Sequence, residues 1–150
     1  DVFGSIARWT DNLFGFGDVE DMEATPAPTE ITEITIEYIE SLLPVVPDGF
    51  VMEEPVVFED DISGRIEYWV AYTLEDKYIT FNAVEQYDDN ISVYQKDGRE
   101  VTALNINGQE FYVFMNNNCI SAAWRVSSIE CYISTNLAYD DLVDILYSSY

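Results

Sequence analysis

The sequence predicts an α+β domain: a single antiparallel, curved β-sheet of about six or seven strands, with helices before and after it packing on the sheet. Apolar residues recur with a helical period near both ends of the chain and with a period of two through its long middle. Two-residue turn signals, Asn107-Gly108 foremost, separate the runs of that middle region. Consecutive strands lying between terminal helices belong to α+β rather than to alternating α/β architecture.

The elements follow in order. Val2, Ile6, Trp9 and Leu13 fall at i, i+4, i+7 and i+11, the spacing of one helix face, and Phe14 and Phe16 extend the stripe to Gly15 and Gly17. Residues 1–17 therefore read as a short amphipathic helix, packing on the domain's own core or adjoining a membrane or partner. Residues 18–30 carry Asp18, Glu20, Asp21, Glu23, Pro26 and Pro28 and read as an acidic linker. The domain proper is residues 31–150. From Thr29 to Leu43, Ile31, Ile34, Tyr38, Ile39, Leu42 and Leu43 keep a helical pattern closed by Pro44, although Ile34, Ile36 and Tyr38 also alternate as in a strand. Pro44, Pro47, Asp48 and Gly49 form a turn.

Beyond Phe50 the period is two. Ile66, Tyr68, Val70 and Tyr72 alternate with Glu67, Trp69, Ala71 and Thr73; Ile79, Phe81 and Ala83 alternate with Thr80 and Asn82. Ile120, Ala122, Trp124 and Val126 alternate with Ser121, Ala123 and Arg125, again a half-buried strand. Asn-Gly tolerates the positive φ angles of a type I′ turn, so Asn107-Gly108 predicts the pairs Ile106 with Gln109, Leu104 with Phe111 and Thr102 with Val113 on one face, and Val101 with Phe114 and Ala103 with Tyr112 on the other. Both faces of this hairpin carry apolar groups, which places it centrally or under cover on both sides. Asp97-Gly98 is a second turn signal of the same kind. Tyr139–Tyr150 closes the chain as a helix with Leu142, Val143, Ile145 and Leu146 on its apolar stripe. Asp140 and Asp141 suit its N-terminal dipole, and Thr135 or Asn136 is placed to cap it.

Composition narrows the function. The chain has 150 residues, 6 Lys+Arg against 29 Asp+Glu, no His and a formal net charge of -23. That length suits one domain, and 48% hydrophobic residues supply a core, so the charge does not mark a disordered tail. Phosphate backbones and anionic lipid repel such a chain, which sets aside nucleic-acid and peripheral-membrane binding. The absence of His removes Ser-His-Asp and Cys-His catalysis and nearly every catalytic zinc site. The expectation is a non-enzyme. No run approaches the roughly 18 apolar residues of a membrane helix, and a start at Asp1 reads as a processed or truncated piece. Cys119 and Cys131 fit neither a redox pair nor a zinc set; a disulfide and two buried thiols both stay open.

Candidate chemistry is thin. Glu53, Glu54, Glu59, Asp60 and Asp61 supply carboxylates for an acid pair, but among so many acids a pair carries little weight. Neither Glu59–Gly64 nor Tyr87–Asn90 has the ligand spacing of a calcium loop. No glycine-rich phosphate loop is present, and Asn116-Asn117-Asn118 is a polar turn. Eleven Tyr with Trp69 and Trp124 are material for a sugar or peptide groove, or simply for strands. No catalytic, metal or cofactor residue is nominated, and no cofactor is expected.

A set of turns and core positions occurs in a recognisable order: Leu43-Pro44, Pro47-Asp48-Gly49-Phe50, Leu104 through Tyr112, Trp124, Cys131-Tyr132-Ile133-Ser134, and Asp140 through Ile145. Over residues 40–150 the chain resembles a family of uncharacterised domains, a numbered domain of unknown function found C-terminal to the membrane helix of Gram-positive, anti-sigma-factor-like regulatory proteins. Thr135 stands where the family has glycine, and Ala138 where Ser or Thr caps the last helix. The Val2–Phe16 stretch looks like the segment that follows the membrane helix. The resemblance implies an extracytoplasmic sensory or regulatory domain, anchored by a missing transmembrane helix and bound to a sigma factor through a missing N-terminal part. It carries over no site residue, and the ligand or protein partner outside the membrane stays unknown. The alternative is a secreted or lipid-anchored binding module for peptide, glycan or lipid.

Overall fold

The computed structural model describes residues 7–9, 13–16, 34–86 and 93–150. Two short strands come first, β1 (Ala7–Trp9) and β2 (Leu13–Phe16), and they pair antiparallel. The expected N-terminal helix is thus corrected where it is described. The helical spacing of Trp9 and Leu13 coexists with short apolar runs that serve a strand equally well, and pairing decided between them. β2 pairs in turn with β7 (Val93–Gln95), so these elements form a separate three-stranded sheet. The acidic linker at 18–30 and the first residues of the next predicted helix lie outside the described residues.

The helix predicted to run to Leu43 is one short element, α1 (Ile36–Glu40). Thr35 caps it, its hydroxyl accepting from the Tyr38 N–H at 3.1 Å. Ser41 to Leu43 continue as a turn, and Pro44 forbids further helix. Phe50 N–H reaches back to Pro47 O at 3.4 Å across Gly49, whose φ of 97° only glycine adopts without strain.

The rest is an eight-stranded antiparallel sheet. Its strands are β3 (Val51–Met52), β4 (Val56–Glu59), β5 (Ile66–Leu74), β6 (Lys77–Glu85), β8 (Thr102–Ile106), β9 (Gln109–Asn116), β10 (Cys119–Val126) and β11 (Ile129–Thr135). Their order is β3-β5-β6-β11-β10-β9-β8, with β4 beside β5 on the same side as β3. Two-residue loops join β5 to β6 and link β8 through β11 in one meander. Each loop opens on a positive φ, at Glu75 (54°), Asn107 (52°), Asn117 (58°) and Ser127 (54°). At Asn107-Gly108 both angles are positive, and the predicted pairs Ile106–Gln109, Leu104–Phe111, Thr102–Val113 and Ala103–Tyr112 form. The fifth, Val101–Phe114, does not: the ladder ends at Thr102, and Val101 packs instead against the small cluster of Phe114 and Ala123.

One expectation about this region is narrowed and another corrected. Of the two positions left open for the hairpin, the central one fails, because β8 is an edge strand, and cover on both sides holds. Its second apolar face is met locally, because Phe114 and Ala123 gather Val101, Tyr112 and Tyr132 into a small cluster of their own. Asp97-Gly98 closes no hairpin, since β7 and β8 on either side belong to different sheets. There the Asp97 carboxylate accepts from Arg99 N–H at 3.0 Å and from the Arg99 guanidinium at 2.7 Å, and that guanidinium also donates to Asn117 O at 3.0 Å.

One sheet face builds the core. Tyr68, Val70, Tyr72, Ile79, Phe81, Ala83, Ile120, Ala122, Trp124, Ile129, Cys131 and Ile133 alternate inward, as their period of two requires. Against them pack Ile39 of α1 and Leu142, Ile145 and Leu146 of α2 (Tyr139–Ser149). Burying each large apolar side chain contributes roughly 1.5–3 kcal/mol. Trp124 is the hub: its ring lies 4.9 Å from Phe111, 5.0 Å from Tyr150 and 6.3 Å from Phe81. Tyr150 also donates its hydroxyl to Leu42 O at 2.6 Å and accepts at its carbonyl from Asn107 Nδ2 at 2.7 Å. One aromatic residue thus joins the α1 turn, the β8–β9 hairpin and the core.

The last helix is capped differently from expectation. Ala138 is the N-cap residue and offers no side-chain acceptor, while Asp141 accepts from Ala138 N–H at 3.3 Å. Thr135 and Asn136 instead fasten the β5–β6 hairpin. Thr135 donates to Tyr78 O at 2.7 Å, and Asn136 accepts from Tyr78 N–H at 2.9 Å and donates to Asp76 O at 2.8 Å.

Candidate binding surface

The edge opposite β8 has an unusual construction. Val51 pairs with Thr73 and Met52 with Tyr72, whereas Val56 pairs with Trp69 and Glu59 with Ile66. The edge strand advances four residues where β5 advances three, so β3 and β4 are one strand interrupted by a bulge at Glu53–Pro55. Glu53 N–H still donates to Ala71 O at 2.8 Å. Pro55, which has no N–H to give a ladder, occupies the bulge, the position an edge strand allows it.

All four residues of β4 are exposed. Along the rim, Val51 and Val56 are each 65% exposed, Phe58 63%, Trp69 48% and Ile62 98%. The pleat sets Val51, Val56, Phe58 and Trp69 on the face away from the core. Trp69 is steadied there by its indole N–H, which donates to Glu67 Oε1 at 3.0 Å. A shallow pocket of about 150 Å³, lined by Phe58, Asp60, Arg65 and Glu67, lies beside it. That is well below the roughly 300–1,000 Å³ of a small-molecule cavity.

The acids once weighed as a catalytic pair or calcium loop border this rim. Glu53 lies in the bulge, accepting from Thr73 Oγ1 at 3.4 Å, and Glu54 follows it, exposed. Glu59 ends β4. Asp60 opens the turn into β5, its carboxylate accepting from Ile62 N–H at 2.8 Å and Ser63 N–H at 3.2 Å. Those two backbone donors hold its acid below the usual carboxylate range. Gly64, with a φ of 73°, donates to Asp60 O at 2.8 Å and completes the turn. Asp60 therefore shapes a loop. Among the described residues, no group of three or more Cys, Asp or Glu is arranged to hold a metal ion. Tyr87–Asn90 lies outside the described residues.

The aromatic groove suggested by Trp69 and Trp124 does not form between them, because they occupy opposite faces of the sheet. Register carries Trp69 to Asn82 on the open face, whereas Trp124 pairs with Cys131 on the core face. The face opposite the core instead holds a half-buried hydroxyl cluster. Tyr78 OH lies 2.7 Å from Cys119 Sγ, Ser121 Oγ lies 2.8 Å from Tyr132 OH and 3.4 Å from Ser134 Oγ, and Thr80 donates to Ser134 O at 3.3 Å. The thiol contact, with partial burial, pushes Tyr78 up to about 12. Both cysteines are free, since Cys119 belongs to this face and Cys131 to the core. Burial pushes the Cys131 thiol up, away from thiolate chemistry.

A family model for a domain of unknown function, DUF4367, matches residues 41–148. The chain belongs to that family. No curated protein and no solved structure matches it significantly. The match covers the eight-stranded sheet and the helix α2, and so includes the whole β3–β4 rim of this DUF4367 domain. The rim itself escaped the sequence reading, which gave no separate role to Val51–Met52 or Val56–Phe58. The signal was there: Glu53-Glu54-Pro55 divides two short apolar runs, and Glu59-Asp60-Asp61 closes the second.

Proposed function

We propose that this DUF4367 domain is a non-catalytic, extracytoplasmic sensory or regulatory domain of a membrane-anchored, anti-sigma-factor-like protein, and that it acts by binding along the β3–β4 rim. The observation that carries the binding role is the rim: Val51, Val56, Phe58 and Trp69 stay exposed beside a sheet whose other face builds the core. Contiguous exposed apolar surface of this kind marks interaction sites. The regulatory setting rests on the ordered resemblance of residues 40–150. A partner shifts such a regulator only through different affinity for its two states, so binding at the rim must change with the state of the full-length protein.

The full reading frame and its neighbouring gene test this directly. The expected result is an upstream membrane helix preceded by a sigma-factor-binding module, and altered sigma-dependent transcription when residues 41–148 are deleted. A frame without a membrane helix, or unchanged transcription, overturns the reading. Turnover of generic glycoside or ester substrates overturns its non-catalytic part.

The half-buried, hydroxyl-bearing face around Tyr78, Thr80, Tyr132 and Ser134 favours a second reading, a secreted or lipid-anchored module for peptide, glycan or lipid. Glycan or vesicle binding lost in Tyr132→Ala but kept in Phe58→Thr supports it over the first.

A further inference from the structure

We infer that the β3–β4 edge receives an extended segment of a protein partner as an added strand, one with alternating β-branched or aromatic residues flanked by Lys or Arg. The inference rests on the binding role proposed for the rim and names its occupant. β4 is bonded to β5 along one side, and among the described residues no strand lies along the other. An edge strand presents alternate N–H and C=O groups outward, a ready template for a further strand. Beside that template, Val56, Phe58 and Trp69 on one face provide apolar contact for the alternate side chains of the incoming segment.

Charge selects the occupant. From Asp48 to Glu67 the chain carries seven Asp or Glu and one Arg. A second copy is disfavoured at this edge. Antiparallel self-pairing of Val56–Glu59 sets Glu54 of each copy across from Asp61 of the other, and parallel self-pairing in register sets every acid beside its own twin. The net charge of -23 adds to that repulsion. The acids and the bulge at Pro55 thus act as a guard against self-association, and the same acids attract a basic strand. The other edge, β8, lacks this apolar strip, since Thr102, Ala103 and Asn105 are its exposed residues.

The test uses the 150-residue chain and two acetylated nonapeptides, Lys-Lys-Val-Thr-Val-Thr-Val-Lys-Lys and its twin with Glu for every Lys. Calorimetry is expected to show binding of the basic peptide, weakened about tenfold in about 0.5 M salt, with the acidic twin weaker by about tenfold or more. N-methylating alternate residues of the peptide blocks one of its two edges. One methylation phase should abolish binding and the other should spare it, because only one edge meets β4. Phe58→Thr and Trp69→Thr should each weaken binding several-fold with the melting temperature unchanged. Equal tolerance of both methylation phases, no binding of the basic peptide, or full binding in the double variant overturns the inference. So does a chain dimer dispersed by Phe58→Thr, which would make a second copy the occupant. Failure here is separable from failure of the regulatory reading. A silent peptide with transcription still altered by deleting residues 41–148 removes only the strand docking; a bound peptide with unchanged transcription removes only the regulator.

Discussion

Trp124 and Trp69 both sit mid-strand in one sheet, yet the first is 1% exposed and the second 48%. Trp124 has ring neighbours from three elements: Phe111 from the adjacent strand β9, Phe81 from β6 beyond β11, and Tyr150 from beyond the last helix. Trp69 has the edge strand beside it and the helices on the far face. The difference is one residue of strand parity. It teaches that in this domain aromatic content alone says nothing about role, whereas the phase of each aromatic in its strand says most of it.

The contrast is tested most severely by truncating each ring. Trp124→Ala should cost about 3–5 kcal/mol of unfolding free energy, because a buried ring leaves a cavity the sheet cannot close. Urea denaturation measures it, and a loss below about 1 kcal/mol would show that the core does not hinge on this residue. Tyr150→Ala should follow at about 2–4 kcal/mol, since it strips a ring from between Phe111 and Trp124 together with the bond to Leu42. Tyr150→Phe, which removes only the hydroxyl, should cost about 1 kcal/mol. Next comes Gly108→Ala, at about 1–2 kcal/mol: a Cβ there meets nothing within 4 Å, so the whole cost is backbone strain at a φ of 86°.

A pH scan probes the face opposite the core. Tyr78, bonded to Cys119, and Tyr112, partly buried and bonded to Glu110, are both pushed up to about 12 from the usual 10.0. A group whose folded value is raised stabilises fully below its unfolded value. Stability should therefore be level up to pH 10 and fall as pH rises toward about 12. Tyr78→Phe should flatten part of that fall, read as the urea midpoint against pH. The smallest effect closes the series: Trp69→Ala and Phe58→Thr should change stability by no more than about 0.5 kcal/mol. A loss as large as that of Trp124→Ala would make the rim part of the core and remove its claim to be a binding surface.

Local chemistry was the most legible part of the fold. The Asn107-Gly108 hairpin formed with the register read from its residues, since a two-residue turn dictates its own pairing. The inward sets Ile66–Tyr72, Ile79–Ala83 and Ile120–Trp124 were legible for the same reason, because alternation is a property of adjacent residues. The misreadings occurred where two periods or two partners compete. Leu13–Phe16 is a strand because β7, about eighty residues away, pairs with it. The two apolar faces of the β8–β9 hairpin fit a central strand pair or one covered on both sides, and only the small cluster around Phe114 decides for cover. The candidate surface was the least legible, because exposure is a property of what fails to cover a residue.

By itself, then, the sequence determined the α+β class, the alternation of each strand, the tight turns, the acidic character and the family of residues 41–148. Each of these depends on neighbours in the chain or on ordered motifs along it. Only the tertiary structure decided that β11 closes against β6, that β8 and β3–β4 are the two edges, and that Trp124 is core while Trp69 is surface. Strand order and exposure arise when distant segments meet, and the energy that selects among such meetings is shared across the whole sheet rather than carried by any one stretch of residues.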